Sequence, residues 1–323
     1  MNRRTFINQS LIATAGIGVG GFGINHQLMG SLLTTSLVPE MDFFEFKIGN
    51  FDCMSICDQL MSIDKKMCFY GASDERIDSI LEEYGIIPNE DGTILAVHSS
   101  FLINTGTNLV LIDTGTGNGK LIEILKKKGV SPEDIDSVVF THGHWDHIGG
   151  NVDKDGNMVF PNARFYMSKA DYDFWTNESY LNQIEGKSGE YAKKNLLPLK
   201  ERIDLIELNT EFIPGLTALN ASGHTPGQIA VEIESKGEKL IHLGDTIHHL
   251  IHNEYPEWRV DGIDIHAENG KVVYEYMSAP ARKRFAQRAF EQNAQVFFSH
   301  VYPIKPGKIV RKGDGFAFTH KIE

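Results

Sequence analysis

The sequence predicts a mixed fold, α/β or α+β, on three observations. Short apolar runs of strand length alternate with amphipathic helical segments along most of the chain. Glycine-containing turns separate paired apolar runs in the manner of hairpins. Several of the apolar runs end directly on a histidine or an aspartate. The chain has 323 residues, 41% of them hydrophobic, enough for a sizeable core in one large domain or two small ones.

The elements follow in order. FFEFKIGNFDCMSICD, from Phe43 to Asp58, alternates like a strand around a turn at Gly49 and Asn50. DERIDSILEEYG reads as a helix that ends at Gly85. SSFLINTGTNLVLIDTG reads as a hairpin with its turn at Thr105 to Asn108, and GKLIEILKKKG as an amphipathic helix closed by Gly129. SVVFTH is a short buried strand. Then come a strand, ARFYMS, and a helix starting at KADYDFW. The segment from Gly215 to His249 gives strand, loop, strand, a turn at SKGE, and strand; SAPARKRFAQRAFEQN is a helix and QVFFSHVY a strand.

The N-terminus reads as an address. Arg3, Arg4 and Phe6 precede a glycine-rich apolar stretch and resemble a twin-arginine export signal. That stretch is about 14 residues, short of the roughly 20 that span a bilayer. The expectation is a signal and linker over residues 1–38, one folded domain over 39–323, a periplasmic or exported location, and no other membrane anchor. The formal charge of −12 argues against a nucleic-acid partner. Cys53, Cys57 and Cys68 match neither a disulfide framework nor a zinc ribbon and read first as ordinary thiols, with one disulfide among them as the alternative in an exported protein.

The chemistry concentrates in THGHWDHIGG, from Thr141 to Gly150. His142 and His144 stand two apart at a strand end, so both side chains point to one face. Asp146 and His147 follow where the chain turns into a helix, and Gly149 and Gly150 permit a tight turn. Imidazole and carboxylate suit zinc, iron or manganese. Three later junctions each supply one more donor: His224 in SGHTPG, Asp245 in LGDT and His300 in FSHVY.

In this order the residues resemble the metallo-β-lactamase superfamily, from about residue 43 onward. The resemblance implies an α+β fold, the four-layer αβ/βα sandwich, with the site at one edge of the sheets. It implies two divalent metal ions, zinc first, with iron, manganese or cobalt compatible. By position, His142, His144 and His224 would bind one metal, Asp146, His147 and His300 the second, and Asp245 would bridge them. Asp113 would support the site from below. Asp245 stands where the β-lactamases of this fold usually have Cys or Ser, and His144 where flavodiiron reductases typically have Glu; the acidic charge disfavours the RNA-processing branch.

The C-terminal third is similar to the branch containing methyl parathion hydrolase and related lactonases. It implies a hydrolase that uses a metal-bridging hydroxide on a small ester-like substrate, a lactone such as an N-acyl homoserine lactone first. The alternative is a phosphotriester or aryl ester. A non-catalytic binding or sensor protein is the reading from another class, and a β-lactamase ranks lower than the esters. Asp146 and Asp245 would serve catalysis. Trp175 is expected to line the substrate pocket, with Trp145 and Ile148 as an apolar wall. Among His248, His249 and His252, His248 is the candidate to contact substrate or protonate a leaving group, against a plain solvated loop. No Gly-x-Ser-x-Gly elbow offers a rival nucleophile. A homodimer through the Met41–Leu95 region is a further expectation.

Overall fold

The computed structural model describes residues 41–321; the proposed export signal lies outside them. Sixteen strands appear among the described residues. The first seven run β1 (Phe43–Ile48), β2 (Phe51–Asp64), β3 (Thr93–Asn104), β4 (Leu109–Ile112), β5 (Ser137–Val139), β6 (Arg164–Ser168) and β7 (Ile203–Ile206). They form one sheet in that order, antiparallel as far as β4 and parallel from β4 to β7. The second sheet is built from β8 (Thr210–Ile213), β9 (Leu216–Asn220), β10 (Ile229–Ser235), β11 (Glu238–His242), β14 (Gln295–Phe297), β15 (Gly307–Lys312) and β16 (Gly315–Thr319). Its order is β16-β15-β14-β11-β10-β9-β8, and β12 (Ile265–Glu268) pairs only with β13 (Lys271–Tyr274).

Among the described residues eight α-helices accompany them: α1 (Lys65–Cys68), α2 (Asp74–Glu83), α3 (Leu121–Lys127), α4 (Trp145–Ile148), α5 (Lys169–Thr176), α6 (Glu178–Leu181), α7 (Ser188–Asn195) and α8 (Ala279–Glu291). None of the helices among the described residues is long and apolar enough to cross a membrane.

Alternating strand faces explain the layering. On β10, Ile229, Val231 and Ile233 face the other sheet, where they meet Phe101, Ile103, Val110 and Ile112. Ala230 points the opposite way, into the layer that Phe285, Ala286 and Ala289 of α8 close. On the first sheet Met54, Ile56, Leu102 and Leu111 face outward, against Leu121, Ile124 and Leu125 of α3 and Phe174 of α5. Period-two strands buried on both faces therefore give helix, sheet, sheet, helix, the four-layer sandwich. The hairpin at Thr105–Asn108 forms as expected: Thr105 N donates to Asn108 O at 3.0 Å, with Gly106 at φ 89°. The three cysteines are buried and form no disulfide among the described residues.

Topology brings the junctions together. β4 and β5 are parallel, so Asp113 and His142 leave the first sheet at the same edge. β11 and β14 are parallel, so Asp245 and His300 leave the second sheet together. The start of β10 lies antiparallel beside the end of β11, which returns the His224 loop to that edge. Ile229 N donates to Thr141 O at 2.9 Å, joining the two sheets there.

A bulge in β2 anchors the loop below the site. The register with β3 slips between Cys57 and Gln59, leaving Asp58 as the extra residue. The Asp58 carboxylate turns inward and accepts from Thr116 N and Oγ1 at 2.9 Å and Leu121 N at 3.0 Å. A Cβ at Gly119 would lie 2.3 Å from its carboxyl carbon, so glycine is required for the approach. Removal of this carboxylate by Asp58→Ala is expected to lower the unfolding free energy by about 2–4 kcal/mol. Urea denaturation measures it, and an unchanged midpoint would show that the loop holds without Asp58.

Candidate metal centre

The site rests on Asp113, at the end of β4. It adopts φ 59°, a left-handed conformation uncommon outside glycine but tolerated by aspartate. Its buried carboxylate accepts from Thr141 N and Thr141 Oγ1, each at 2.8 Å, and meets His147 Nδ1 at 2.8 Å. One side chain thus fixes both ends of the Thr141–His147 turn. His144 is the N-cap of α4, and this single helical turn carries Asp146 and His147 toward the second sheet.

Two groups of donors result. His142 Nε2 lies 3.0 Å from His144 Nδ1, which lies 2.8 Å from His224 Nε2. Asp146, His147, Asp245 and His300 form the second group. Asp245 reaches both: its Oδ2 is 3.4 Å from His224 Nε2, 3.7 Å from His142 Nε2 and 2.8 Å from His300 Nε2, while Oδ1 is 3.2 Å from His147 Nε2. All seven sequence-predicted donors therefore converge, and His248 joins them with Nε2 at 3.2 Å from Asp245 Oδ2.

The donor set fits cations. Metal–nitrogen bonds of about 2.0–2.1 Å place neighbouring ligand atoms roughly 3.3 Å apart in a tetrahedral shell, close to these spacings. His147 Nε2 and Asp245 Oδ1 are buried and have no hydrogen-bond partner among the described residues, although they face each other. Burial, then the neighbouring imidazoles, holds His142 and His144 well below the usual imidazole range, so both offer lone pairs at neutral pH. Burial would raise the Asp245 carboxyl, but His147 and His300 hold it well below the usual carboxylate range. Burial also disfavours charge on His147, yet Asp245, Asp146 and Asp113 raise it well above its ordinary value. In the polypeptide alone a proton on His147 balances the carboxylates; a cation would displace it.

Buried carboxylates brace the frame from outside. Asp264 Oδ1 meets His224 Nδ1 at 2.9 Å, and Oδ2 accepts from Met277 N, Ser278 N and Ser278 Oγ. Asp171 accepts from Gly143 N at 2.8 Å and Gly227 N at 2.9 Å, tying the His142 loop to the His224 loop; burial pushes its carboxyl up to about 6 against those bonds. Neither residue is signalled by the sequence, because each is a single aspartate in a helix or loop with no metal-type spacing. His98 of β3 also escaped the sequence reading and lines the site.

A cavity of about 260 Å³ opens onto the donors. Met61, Ile63, Ala96, Val260 and Ile263 supply apolar wall, while His98, Asp146, His248 and His300 supply the polar end. Trp145 lines it as expected. Trp175 and Ile148 do not. Trp175 is fully buried in the helical layer under Gly143, where a Cβ would meet its ring at 2.3 Å. Ile148 is fully buried in the same core, on the inner face of α4. The expected solvated histidine loop is buried too: His249 lines the cavity, and His252 turns away to Cys68 O at 3.0 Å.

The profile of the metallo-beta-lactamase superfamily matches residues 94–274. An N-acyl homoserine lactonase of Bacillus sp is 29% identical over 167 residues, 48% of this chain and 60% of that protein, so the alignment spans little more than half of the relative. The solved structure of AidC, a dizinc quorum-quenching lactonase with a product N-hexanoyl-L-homoserine, superposes with a TM-score of 0.74 at 27% identity, covering 87% of this chain and 98% of AidC. The hydrolase AbOPH, of the beta-lactamase superfamily, gives 0.76 at 22% identity over 88% and 99%, a likeness of fold.

Asp264 yields a test with a sign. Burial would raise its carboxyl, but hydrogen bonds from His224 and Ser278 bring it down to about 2. A depressed carboxylate stabilises the fold above the unfolded value near pH 4, and that contribution is lost as pH falls through about 2. Asp264→Asn is expected to remove on the order of 2 kcal/mol at neutral pH and to flatten the acid limb of the stability curve. Equal acid limbs in both proteins would contradict the assignment.

Proposed function

The chain belongs to the metallo-beta-lactamase superfamily, and from that premise we propose that it is a dinuclear-metal hydrolase that opens a lactone, an N-acyl homoserine lactone first. The observation that carries this reading is the pair of donor groups sharing Asp245 at the floor of a largely apolar cavity. A polar ring with an apolar tail matches those two ends. His142, His144 and His224 would hold one cation; Asp146, His147 and His300 the other, with Asp245 between. When bound, two divalent cations lower the pKa of water to about 7 and polarise the scissile carbonyl.

The chain's own groups do the rest. The apolar walls hold the acyl chain and exclude bulk water from the polar end. Asp146, at the cavity surface, orients the attacking water and takes its proton as the carbon–oxygen bond forms. The ring carbon–oxygen bond then breaks and the proton passes to the departing alkoxide. His248 is placed for that transfer: it lines the cavity, is hydrogen-bonded to Asp245, and has a buried Nδ1 without a partner among the described residues. Burial, above all, lowers His248 to about 4, so it begins neutral. It would therefore relay a proton or donate a hydrogen bond rather than carry a standing charge.

Zinc is the first expectation for both positions. The complete donor set supports an enzyme over a binding protein that keeps the fold.

Proton release on adding a long-chain N-acyl homoserine lactone to metal-replete protein tests the proposal. Release is expected from the native protein and at least 100-fold less from His300→Ala, a loss of about 2.7 kcal/mol in transition-state stabilisation. No release from metal-replete native protein would transfer the assignment to aryl esters and phosphotriesters. His248→Ala is expected to depress the rate and alter the pH–rate profile; an unchanged profile would remove His248 from the proton path.

A further inference from the structure

Four of the imidazole donors are held from behind by a consistent device. His142 Nδ1 meets Thr141 Oγ1 at 3.1 Å, His147 Nδ1 meets Asp113, and His224 Nδ1 meets Asp264. His300 Nδ1 lies 2.8 Å from the carbonyl oxygen of Val97. Asp245 has His248. Asp146 is approached differently: His98 Nδ1 lies 2.8 Å from Asp146 Oδ2, the same oxygen that faces His147 and His300 at 3.6 Å.

We propose that His98 is a positioning residue for Asp146, and that Val97 and His98 of β3 together form the brace of the second metal position. The inference rests on the dinuclear reading above. Consecutive residues of one strand hold the two donors that come from opposite sheets: the Val97 carbonyl fixes the ring of His300, and the His98 ring fixes the carboxylate of Asp146. Ser99, next along β3, extends the contact by donating from Oγ to Ser299 O at 2.6 Å.

Three further features support the assignment. His98 is buried, and Asp146 Oδ2 is the carboxylate oxygen within 2.8 Å of its Nδ1. Its ring is wedged edge-on between Trp145, at 5.2 Å, and His300, at 5.2 Å, which restricts its rotation. It also stands opposite the β2 bulge, where the register passes from Cys57–Ser99 to Gln59–His98. Bulges re-aim side chains beside functional sites; here one irregularity serves Asp58 on β2 and His98 on β3.

A ligand carboxylate with a fixed partner presents one oxygen to its metal; without the partner it rotates among several orientations. Loss of such a partner typically weakens metal binding about 10–100-fold. Competitive titration of metal-free full chain with zinc against a fluorescent chelator measures this directly, with no substrate present. The native protein is expected to take up two equivalents. His98→Leu, which keeps bulk but no donor, is expected to bind one of them about 10–100-fold more weakly and the other as before. His98→Asn, which keeps a donor near the Nδ1 position, is expected to recover affinity to within a few fold.

Two native-strength equivalents in His98→Leu would overturn the brace. So would equal weakening in the Leu and Asn variants, which would mean that the ring serves packing alone. Fewer than two equivalents in the native protein would overturn the dinuclear reading, so the two failures are told apart. Far-ultraviolet circular dichroism checks folding; should His98→Leu misfold, His98→Gln, whose amide sits one methylene further out, takes its place and is expected to weaken the same equivalent.

Discussion

The structure depends on a concentration of lone pairs at the largely buried floor of a cavity. Five imidazoles and two carboxylates meet in a buried volume, with nitrogens as close as 2.8 Å and too few hydrogens to separate them. Buried polar groups without partners are costly, and buried like dipoles more so. Positive charge must stand among them, as protons or as metal ions. The raised His147 and depressed Asp245 are the signs expected of the proton solution; the spacing of the donors is also compatible with metal ions.

Such a site cannot hold itself together, and much of the surrounding polar structure supplies restraint. Asp113 locks the Thr141–His147 turn, Asp171 ties the first loop to the His224 loop, and Asp264 anchors His224 to the start of α8. Arg282, buried on α8, donates from Nε to Thr246 O at 2.7 Å and steadies the residue after Asp245. Each restraint is a charged or polar group satisfied by backbone atoms of a different segment. Stability and site geometry are therefore the same interactions, and loosening one disturbs both.

How far this could be read from the sequence follows from the range of each interaction. The seven donors were legible because they lie at the ends of apolar runs and four of them crowd into His142–His147. The turn at Thr105–Asn108 was legible because turn chemistry is local. Trp175 and Ile148 were placed at the cavity by sequence and lie in the core: α4 and α5 are too short for periodicity to say which face is buried, and the decision is made by Gly143 admitting the indole ring. His98, Asp171 and Asp264 carry no spacing signal, since their partners are far away in sequence. The β2 bulge was hidden too, as register is a property of two strands.

Anomalous X-ray scattering from crystals of the native protein, recorded above and below the absorption edge of the metal it carries, addresses the central claim most directly. Two peaks are expected, one among His142, His144 and His224 and one among Asp146, His147 and His300, with the Asp245 carboxylate between them. Absence of metal from protein purified in metal-sufficient medium, or a single peak away from Asp245, would contradict it.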